Sequence, residues 1–161
     1  MSSLVGQHIV LGITAGVAAY KTPALVRALR AAGAEIQVVM STNAKRFVTP
    51  TALQAVSGQP VRDDLWDAQA EASMGHIELA RWADQILIAP ATANCIAALA
   101  QGQAYDLLTT MCLATEAQVV VAPAMNQRMY LHAATQQNLS ALERLGYQII
   151  DPDHGEQACG E

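Results

Sequence analysis

Two apolar segments end in Ala-Pro-Ala and then reach an asparagine, in IAPATAN at 88–94 and VAPAMNQ at 121–127. We call these two ends the first and the second Ala-Pro-Ala exit. Proline has no backbone N–H and holds the preceding residue in extended geometry, so each Ala-Pro pair predicts the end of a strand. Asn94 and Asn126 then follow two carboxyl ends, where open α/β sheets bind ligands. The amide of Asn126 could hold a carboxylate and an amide together. For either residue alone, a turn or helix cap is the alternative.

A histidine and a cysteine supply groups that could move protons. His76 follows a glycine just ahead of an apparent helix. It could be a general base near neutral pH, or a capping or surface histidine. Cys159 stands in a polar segment without the apolar flanks of a buried cysteine, so a reactive thiol and an inert one both stay open. The spacing of histidines and cysteines predicts no metal site.

Two further segments could bind a phosphate. GITAGVAAYK at 12–21 places small residues where a strand turns into a helix, and backbone N–H groups there can bind an anion or simply allow close packing. It is neither GxGxxG nor a Walker loop. STNAK at 41–45 follows the next strand with hydroxyl and amide groups, which could hold the same phosphate or cap a helix. Met125 and Met129 could line an apolar pocket or pack in the core.

The elements that must position these groups alternate between strands and helices. Strands are predicted at 8–13, 35–40, 85–90, 118–123 and 147–150. Helices are predicted at 16–33, 49–58, 77–83 and 135–146, with two alanine-rich helices between the third and fourth strands. The apolar positions spaced for the first helix are Val17, Leu25, Val26 and Leu29. This alternation predicts a Rossmann-like α/β fold with a doubly wound parallel sheet in three α/β/α layers.

Composition and charge narrow the class of protein. A length of 161 residues suits a single domain over residues 1–161. The chain is 52% hydrophobic and 14% charged, which is compatible with apolar surface buried between subunits. With a net charge of −5 and no basic cluster beyond Lys45-Arg46, no nucleic-acid partner is expected. The N-terminal segment resembles neither a signal peptide nor a membrane span, so a cytoplasmic location is expected.

Taken together, these segments resemble the homo-oligomeric flavin-containing cysteine decarboxylases. The family's PASANT motif is similar to PATANC at 90–95, its PxMNxxM motif is met by PAMNQRM at 123–129, and its histidine matches His76. The resemblance extends over nearly the whole chain, from GITAGVAAYK to ACG at 158–160.

The sequence departs from the family pattern at two places. Thr92 and Cys95 stand where PASANT has serine and threonine. Cys95 would therefore lack one hydrogen-bonding group near the flavin. In bifunctional members of the family the cysteine belongs to a flap that leads into a synthetase domain. Here the sequence holds only CGE of that flap, at 159–161. The resemblance therefore implies a decarboxylase domain truncated before a C-terminal synthetase domain.

The resemblance implies FMN as the cofactor and 4′-phosphopantothenoylcysteine as the small-molecule substrate. The product would be 4′-phosphopantetheine, formed in coenzyme A biosynthesis by oxidation of the thiol, loss of CO₂ and reduction of the enethiol. His76 would act as the base, Asn126 and Met129 would bind the substrate, and Cys159 would donate the final proton. The implied cofactor-binding residues are Thr14, Ala15, Gly16, Ser41, Thr42, Asn43, Thr92, Ala93, Asn94, Cys95 and Ala124.

The resemblance also implies an assembly. The family forms trimers with the flavin and the active site at subunit interfaces, and its bifunctional members build dodecamers from trimers. Three alternatives stay open: a prenyl-transferring flavin enzyme, a peptidyl-cysteine decarboxylase, and a non-catalytic flavoprotein that regulates a phosphatase. The first would not need PAMNQRM, the second would stop at the enethiol, and the third usually carries a long acidic tail.

Overall fold

The computed structural model describes residues 3–153, with the side chain of residue 73 excepted. Within that range, parallel strands form one sheet in the order β2-β1-β3-β4-β5. The strands are β1 His8–Ile13, β2 Glu35–Met40, β3 Gln85–Ala91, β4 Gln118–Pro123 and β5 Gln148–Ile149. The chain winds from β1 to β2 on one side and returns to β3 on the other. Open sheets of this order bind ligands at the β1/β3 switch point.

Helices connect the strands and cover both faces of the sheet. They are α1 Thr22–Ala31, α2 Pro50–Ser57, α3 Ala68–Met74, α4 His76–Trp82, α5 Ala93–Ala100, α6 Leu107–Ala114, α7 Gln127–Leu131 and α8 Ala133–Arg144, with 3-10 helices at Val17–Lys21 and Thr42–Arg46. Val10 and Ile86 pack with α4, α5, α6 and α8, whereas Leu11 packs with α1 and α2. Successive strand residues thus enter opposite cores. The predicted three-layer, doubly wound fold is confirmed. No helix within residues 3–153 combines the length and apolar character needed to cross a bilayer.

The first predicted helix is the main difference from the sequence prediction. The structure divides it into the 3-10 helix Val17–Lys21 and α1, with Pro23 in the first turn of α1. Proline lacks an N–H and is tolerated only where the helix begins, which explains the division. Val26 is fully buried as the spacing predicts, but Val17 is 50% exposed. The prediction that Val17 belongs to the apolar face was therefore wrong.

Two short helices escaped the sequence prediction. They are α3 and α7, which carry no fully buried side chain among those described. Periodicity reveals a helix through its buried face, so helices of this kind leave little signal. The predicted helix at 49–58 is found as α2 and ends at Gly58, whose φ of 73° is left-handed, as glycine permits.

Candidate active site

Two adjoining cavities open at the carboxyl ends of the strands. The first, the large cleft, has a volume of about 810 Å³ and is lined by residues that follow β1, β3 and β4. The second, the small pocket, has a volume of about 180 Å³ and is lined by residues that follow β1, β2 and β3 and precede α6. Ala15, Thr92 and Asn94 line both. The large cleft has the size of an ordinary ligand site, roughly 300–1,000 Å³.

The residues implied as cofactor-binding gather at these two cavities. Thr14, Ser41, Thr42, Asn43 and Cys95 line the small pocket; Gly16, Ala93 and Ala124 line the large cleft; and Ala15, Thr92 and Asn94 line both. Asn126 and Met129 also line the large cleft. The two Ala-Pro-Ala exits therefore meet at one site, as their positions after neighbouring strands predict.

Thr14 ties the end of β1 to the first Ala-Pro-Ala exit. Its hydroxyl donates to the Pro90 carbonyl at 2.6 Å and accepts from the Thr92 N–H at 3.0 Å, and the residue is 3% exposed. Thr92 Oγ1 accepts the Cys95 N–H at 3.1 Å and caps α5. Since both hydroxyls are engaged within the chain, Thr14 and Thr92 fix the shape of the wall between the two cavities.

Gly16 leaves a bare stretch of backbone beside this wall. Its φ of −132° is open to any residue, and an added Cβ would lie 3.7 Å from Pro90 Cγ and 3.8 Å from Thr92 Cγ2. Both distances are ordinary contacts. Neither the backbone nor the packing therefore requires glycine at this position. The bare backbone is available to a ligand in the large cleft.

Ser41 carries the unpaired polar atom of the small pocket. It precedes the 3-10 helix Thr42–Arg46 but makes no capping hydrogen bond, so a helix cap does not account for its hydroxyl. Ser41 Oγ is buried and has no hydrogen-bond partner among the described residues. A buried polar group without a partner costs about 1–3 kcal/mol. A ligand group in the small pocket would offset that cost.

Tyr105 and Asp106 complete the small pocket and were missed from the sequence. Asp106 caps α6 by accepting the Thr109 N–H at 2.8 Å and the Thr109 hydroxyl at 2.6 Å. The Asp-x-x-Thr spacing is a recognisable capping pattern, but it signals a helix start and not a cavity. Partial burial, with the Asp106 carboxylate, raises the pKa of Tyr105 to about 12. The phenol is therefore a hydrogen-bond donor at neutral pH.

Asn126 is held at the second exit by a helix cap. Its Oδ1 accepts the Arg128 N–H at 2.9 Å and starts α7. Asn126 thus both caps α7 and lines the large cleft, and the cap fixes the direction of its side chain. Met129 is 50% exposed on α7, whereas Met125 packs partly against the core.

His76 begins α4, one residue earlier than predicted, and is not among the residues that line the large cleft or the small pocket. Its Nδ1 lies 3.1 Å from Glu71 Oε1. This hydrogen bond is the main cause that lowers the pKa of Glu71. Sequence reasoning missed Glu71, since no motif marks an acid five residues before a histidine.

Two of the three cysteines lie in the described part of the chain. Cys159 lies outside the described residues. Cys95 and Cys112 are free thiols in the apolar core beside α4. Burial raises the pKa of Cys95 to about 12 and also raises that of Cys112. Both thiols stay protonated near neutral pH, which makes them poor nucleophiles.

Comparisons with known proteins match the whole chain. The family model described as Flavoprotein matches residues 1–161. The coenzyme A biosynthesis bifunctional protein CoaBC of Vibrio vulnificus strain YJ016 is 59% identical over 161 residues, which are 100% of this chain and 40% of that protein. The chain thus spans about two fifths of the length of this curated relative.

Solved structures give the same architecture. An FMN-dependent cysteine decarboxylase, SpaF, is 34% identical with a TM-score of 0.87, over 95% of this chain and 88% of that one. A PPC decarboxylase mutant complexed with pantothenoylaminoethenethiol is 30% identical with a TM-score of 0.82, over 96% of this chain and 87% of that one.

Proposed function

Because this chain belongs to the flavoprotein family, we propose that it binds FMN and decarboxylates 4′-phosphopantothenoylcysteine to 4′-phosphopantetheine in coenzyme A biosynthesis. The observation that carries this proposal is the pair of cavities where both Ala-Pro-Ala exits meet. The similarity to an FMN-dependent cysteine decarboxylase and to a protein of coenzyme A biosynthesis supports it.

The residues of the small pocket fit the phosphate end of FMN. Ser41 Oγ is a buried hydroxyl without a partner among the described residues, and Thr42 and Asn43 add polar groups beside it. The negative charge of Asp106 would repel a phosphate. Its carboxylate, however, accepts a hydrogen bond at the start of α6, where the helix dipole offsets the charge. When bound, the flavin supplies reversible two-electron oxidation of the substrate thiol. We expect denatured protein to release FMN and not FAD, since the residues that line the small pocket offer no evident site for an adenylate.

The large cleft fits the substrate. Asn126 lines it with an amide that can donate to the substrate's carboxylate and accept from its amide N–H. Met125 and Met129 supply apolar contact. Lys21 brings a positive charge to the same lining, which favours a phosphorylated substrate over a cysteine-terminated peptide.

A direct assay tests the reaction. FMN-loaded protein is incubated with 4′-phosphopantothenoylcysteine, and mass spectrometry follows the loss of CO₂. A cysteine-terminated peptide serves as the competing substrate, because the sequence leaves a peptidyl-cysteine decarboxylase open as the alternative. FMN-loaded protein that leaves 4′-phosphopantothenoylcysteine intact, or that acts only on the peptide, would contradict the proposal.

The catalytic base in this proposal is His76, supplied by a second copy of the chain in a trimer or a dodecamer built from trimers. Two observations support an assembly. His76 does not line the large cleft of its own chain, and exposed apolar side chains, Val17 at 50% and Tyr20 at 61%, line that cleft. Such a surface is suited to cover by another subunit. We place this assembly in the cytoplasm.

Mixed oligomers test whether the site is shared. His76→Asn should reduce turnover by about 10²–10⁴-fold, because asparagine cannot act as a base. Asn126→Asp should also be inactive, since its carboxylate would repel that of the substrate. If His76 and Asn126 of one site come from different chains, co-assembly of the two variants restores activity. Mixed oligomers that stay inactive would place both residues of a site in one chain.

Cys159 is the proposed donor of the final proton. A thiol, with an ordinary pKa of about 8.5, gives up a proton far more readily than a serine hydroxyl. Cys159→Ser should therefore still release CO₂ but accumulate the enethiol, which is lighter than 4′-phosphopantetheine by two hydrogen atoms. Formation of 4′-phosphopantetheine at the unmutated rate would remove Cys159 from the mechanism.

A further inference from the structure

The carboxylate of Glu71 forms hydrogen bonds with both the ring and the backbone of His76. Glu71 Oε1 lies 3.1 Å from the ring Nδ1 of His76, and Glu71 Oε2 accepts the backbone N–H of His76 at 3.3 Å. An acid in the first turn of α3 thereby holds both the backbone and the ring of the first residue of α4. The His76 side chain is 27% exposed and that of Glu71 is 44% exposed.

Gly75 leaves space for the Glu71 carboxylate beside the chain. A Cβ at Gly75 would lie 2.7 Å from Glu71 Oε1 and 2.6 Å from Glu78 Oε2, which is closer than nonbonded atoms allow. The φ of Gly75 is −61°, so the backbone does not require glycine. Alanine here would displace the ends of the Glu71 and Glu78 side chains, so glycine leaves the Glu71 carboxylate space beside His76.

Arg62 anchors the junction between α3 and α4 to the sheet. Its backbone pairs beside β2, with the Arg62 N–H donating to Val38 O at 2.9 Å and Arg62 O accepting from Met40 at 2.8 Å. Its guanidinium donates to Met74 O at 2.5 Å, and the residue is 9% exposed. Both the His76 hydrogen bond and the Arg62 charge lower the pKa of Glu71, so the carboxylate is ionised at neutral pH.

We propose that Glu71 is the positioning residue of the catalytic base, an inference that rests on the role proposed above for His76. An ionised carboxylate only accepts hydrogen bonds, so it holds the single proton of the neutral imidazole on Nδ1. Nε2 is then the basic nitrogen. The substrate thiol gives its proton to Nε2, and the resulting imidazolium charge lies beside the Glu71 carboxylate.

Two readouts test this role. Nitrogen NMR reports the tautomer of the His76 ring without any turnover, with His76→Asn used to identify the signal. Steady-state kinetics then separates kcat from KM. We expect Glu71→Ala to lose the Nδ1–H preference and to lower kcat by about 10- to 100-fold, the factor for a hydrogen bond to a charged group, with KM unchanged. Glu71→Gln should show a smaller loss, since the amide oxygen still accepts but carries no charge.

Two further variants serve as control and as an independent test. Glu78→Gln removes a carboxylate that also lies beside Gly75 near the start of α4, but no hydrogen bond between Glu78 and His76 is found among the described residues. It should leave the tautomer and kcat unchanged. Gly75→Ala displaces the end of the Glu71 side chain without removing it, and should weaken the Nδ1–H preference and lower kcat in the same direction as Glu71→Ala.

The outcomes separate the inference from the proposed function. An unchanged His76 tautomer in both Glu71→Ala and Gly75→Ala, or equal effects of Glu71→Gln and Glu78→Gln, would overturn the positioning role. Unmutated FMN-loaded protein without any turnover would instead contradict the proposed function, and the NMR measurement would still decide whether Glu71 sets the tautomer. Should Glu71→Ala fail to fold, the tautomer of Gly75→Ala decides whether Glu71 positions the ring.

Discussion

Ala89-Pro90-Ala91 and Ala122-Pro123-Ala124 leave neighbouring strands with the same three residues but are held differently. At the first exit, the Thr14 hydroxyl bonds to the chain on both sides, and Ala91 is fully buried. The second exit is tied to the first through the Ala124 N–H, which donates to Ala91 O at 3.1 Å. It continues into α7, which buries no residue.

The neighbours of each strand explain this difference. Strand β3 lies in the middle of the sheet beside β1, whose end supplies Thr14, whereas β4 has the two-residue strand β5 on its other side. The two exits share their sequence, but surrounding residues decide how firmly each exit is held. We expect changes at the first exit to act on stability and flavin binding, and changes at the second to act on turnover.

Among changes at the two exits, Asn126→Asp should have the largest effect on activity. Aspartate is as good a helix cap as asparagine, so α7 should still form. Its charge, however, would face the substrate's carboxylate and lower kcat/KM by about 10²-fold or more, since like charges brought together repel by several kcal/mol. Steady-state kinetics measures this loss, and flavin absorbance measures the cofactor.

Asn138→Asp on α8 is the matched control, because it makes the same change away from both cavities. If Asn126→Asp lost the flavin together with the activity, the contrast between the two exits would fail.

Thr14→Val should act at the first exit and on stability. Valine keeps the shape but leaves the part-buried Thr92 N–H without its partner and removes the buried hydrogen bond to Pro90 O. We expect the free energy of unfolding to fall by about 2 kcal/mol, within the usual range for the loss of such hydrogen bonds. Urea unfolding measures the change. Thr14→Ser, which keeps the hydroxyl, should recover most of it; equal stability of all three proteins would show that the exit is not held through Thr14.

Much of the fold could be predicted from the sequence because most strands of a parallel sheet are buried on both faces. Strands β1, β2 and β4 have the predicted bounds, and β3 continues one residue beyond Pro90. Such strands are continuous apolar runs, which are hard to mistake. The family resemblance drawn from the two motifs is confirmed by the flavoprotein match.

The contacts of the site could not be predicted in the same way. Tyr105, Ser41 and Glu71 owe their importance to neighbours that the fold brings to them. Whether the Ser41 hydroxyl is paired depends on what surrounds its Oγ. The hydrogen bonds between Glu71 and His76 depend on the space beside Gly75. Thr14 was expected at the cofactor, but its hydroxyl is engaged by Pro90 and Thr92. The roles proposed for the cofactor-binding residues stay predictions.

Ser41→Ala should weaken FMN binding without weakening the apoprotein. Because Ser41 Oγ has no partner within residues 3–153, the apoprotein loses no hydrogen bond. FMN affinity should fall about tenfold, as expected for one hydrogen bond to a phosphate. Fluorescence titration with FMN and urea unfolding give the two values.

Ser57→Ala is the matched control for Ser41→Ala. Ser57 is also buried, but its hydroxyl bonds to Gln59 at both the carbonyl and the N–H. It should destabilise the apoprotein by about 1 kcal/mol and leave FMN affinity unchanged. The opposite pattern, with Ser41→Ala destabilising the apoprotein, would mean that Ser41 Oγ is paired within the chain.

Cys95, just after the first exit, should reveal its burial through pH. Burial, helped by the Asp106 carboxylate, raises the pKa of the thiol from 9.0 to about 12. The folded state therefore holds the proton more tightly than the unfolded state, so this contribution to stability is complete below about pH 9 and is lost as the pH rises towards 12. When the pH is raised from 7 to about 10, the free energy of unfolding should fall in both proteins. The fall should be about 1 kcal/mol smaller in Cys95→Ala than in the unmutated protein. Urea unfolding at both pH values measures the two losses, and equal losses would show that the first exit leaves this thiol open to solvent.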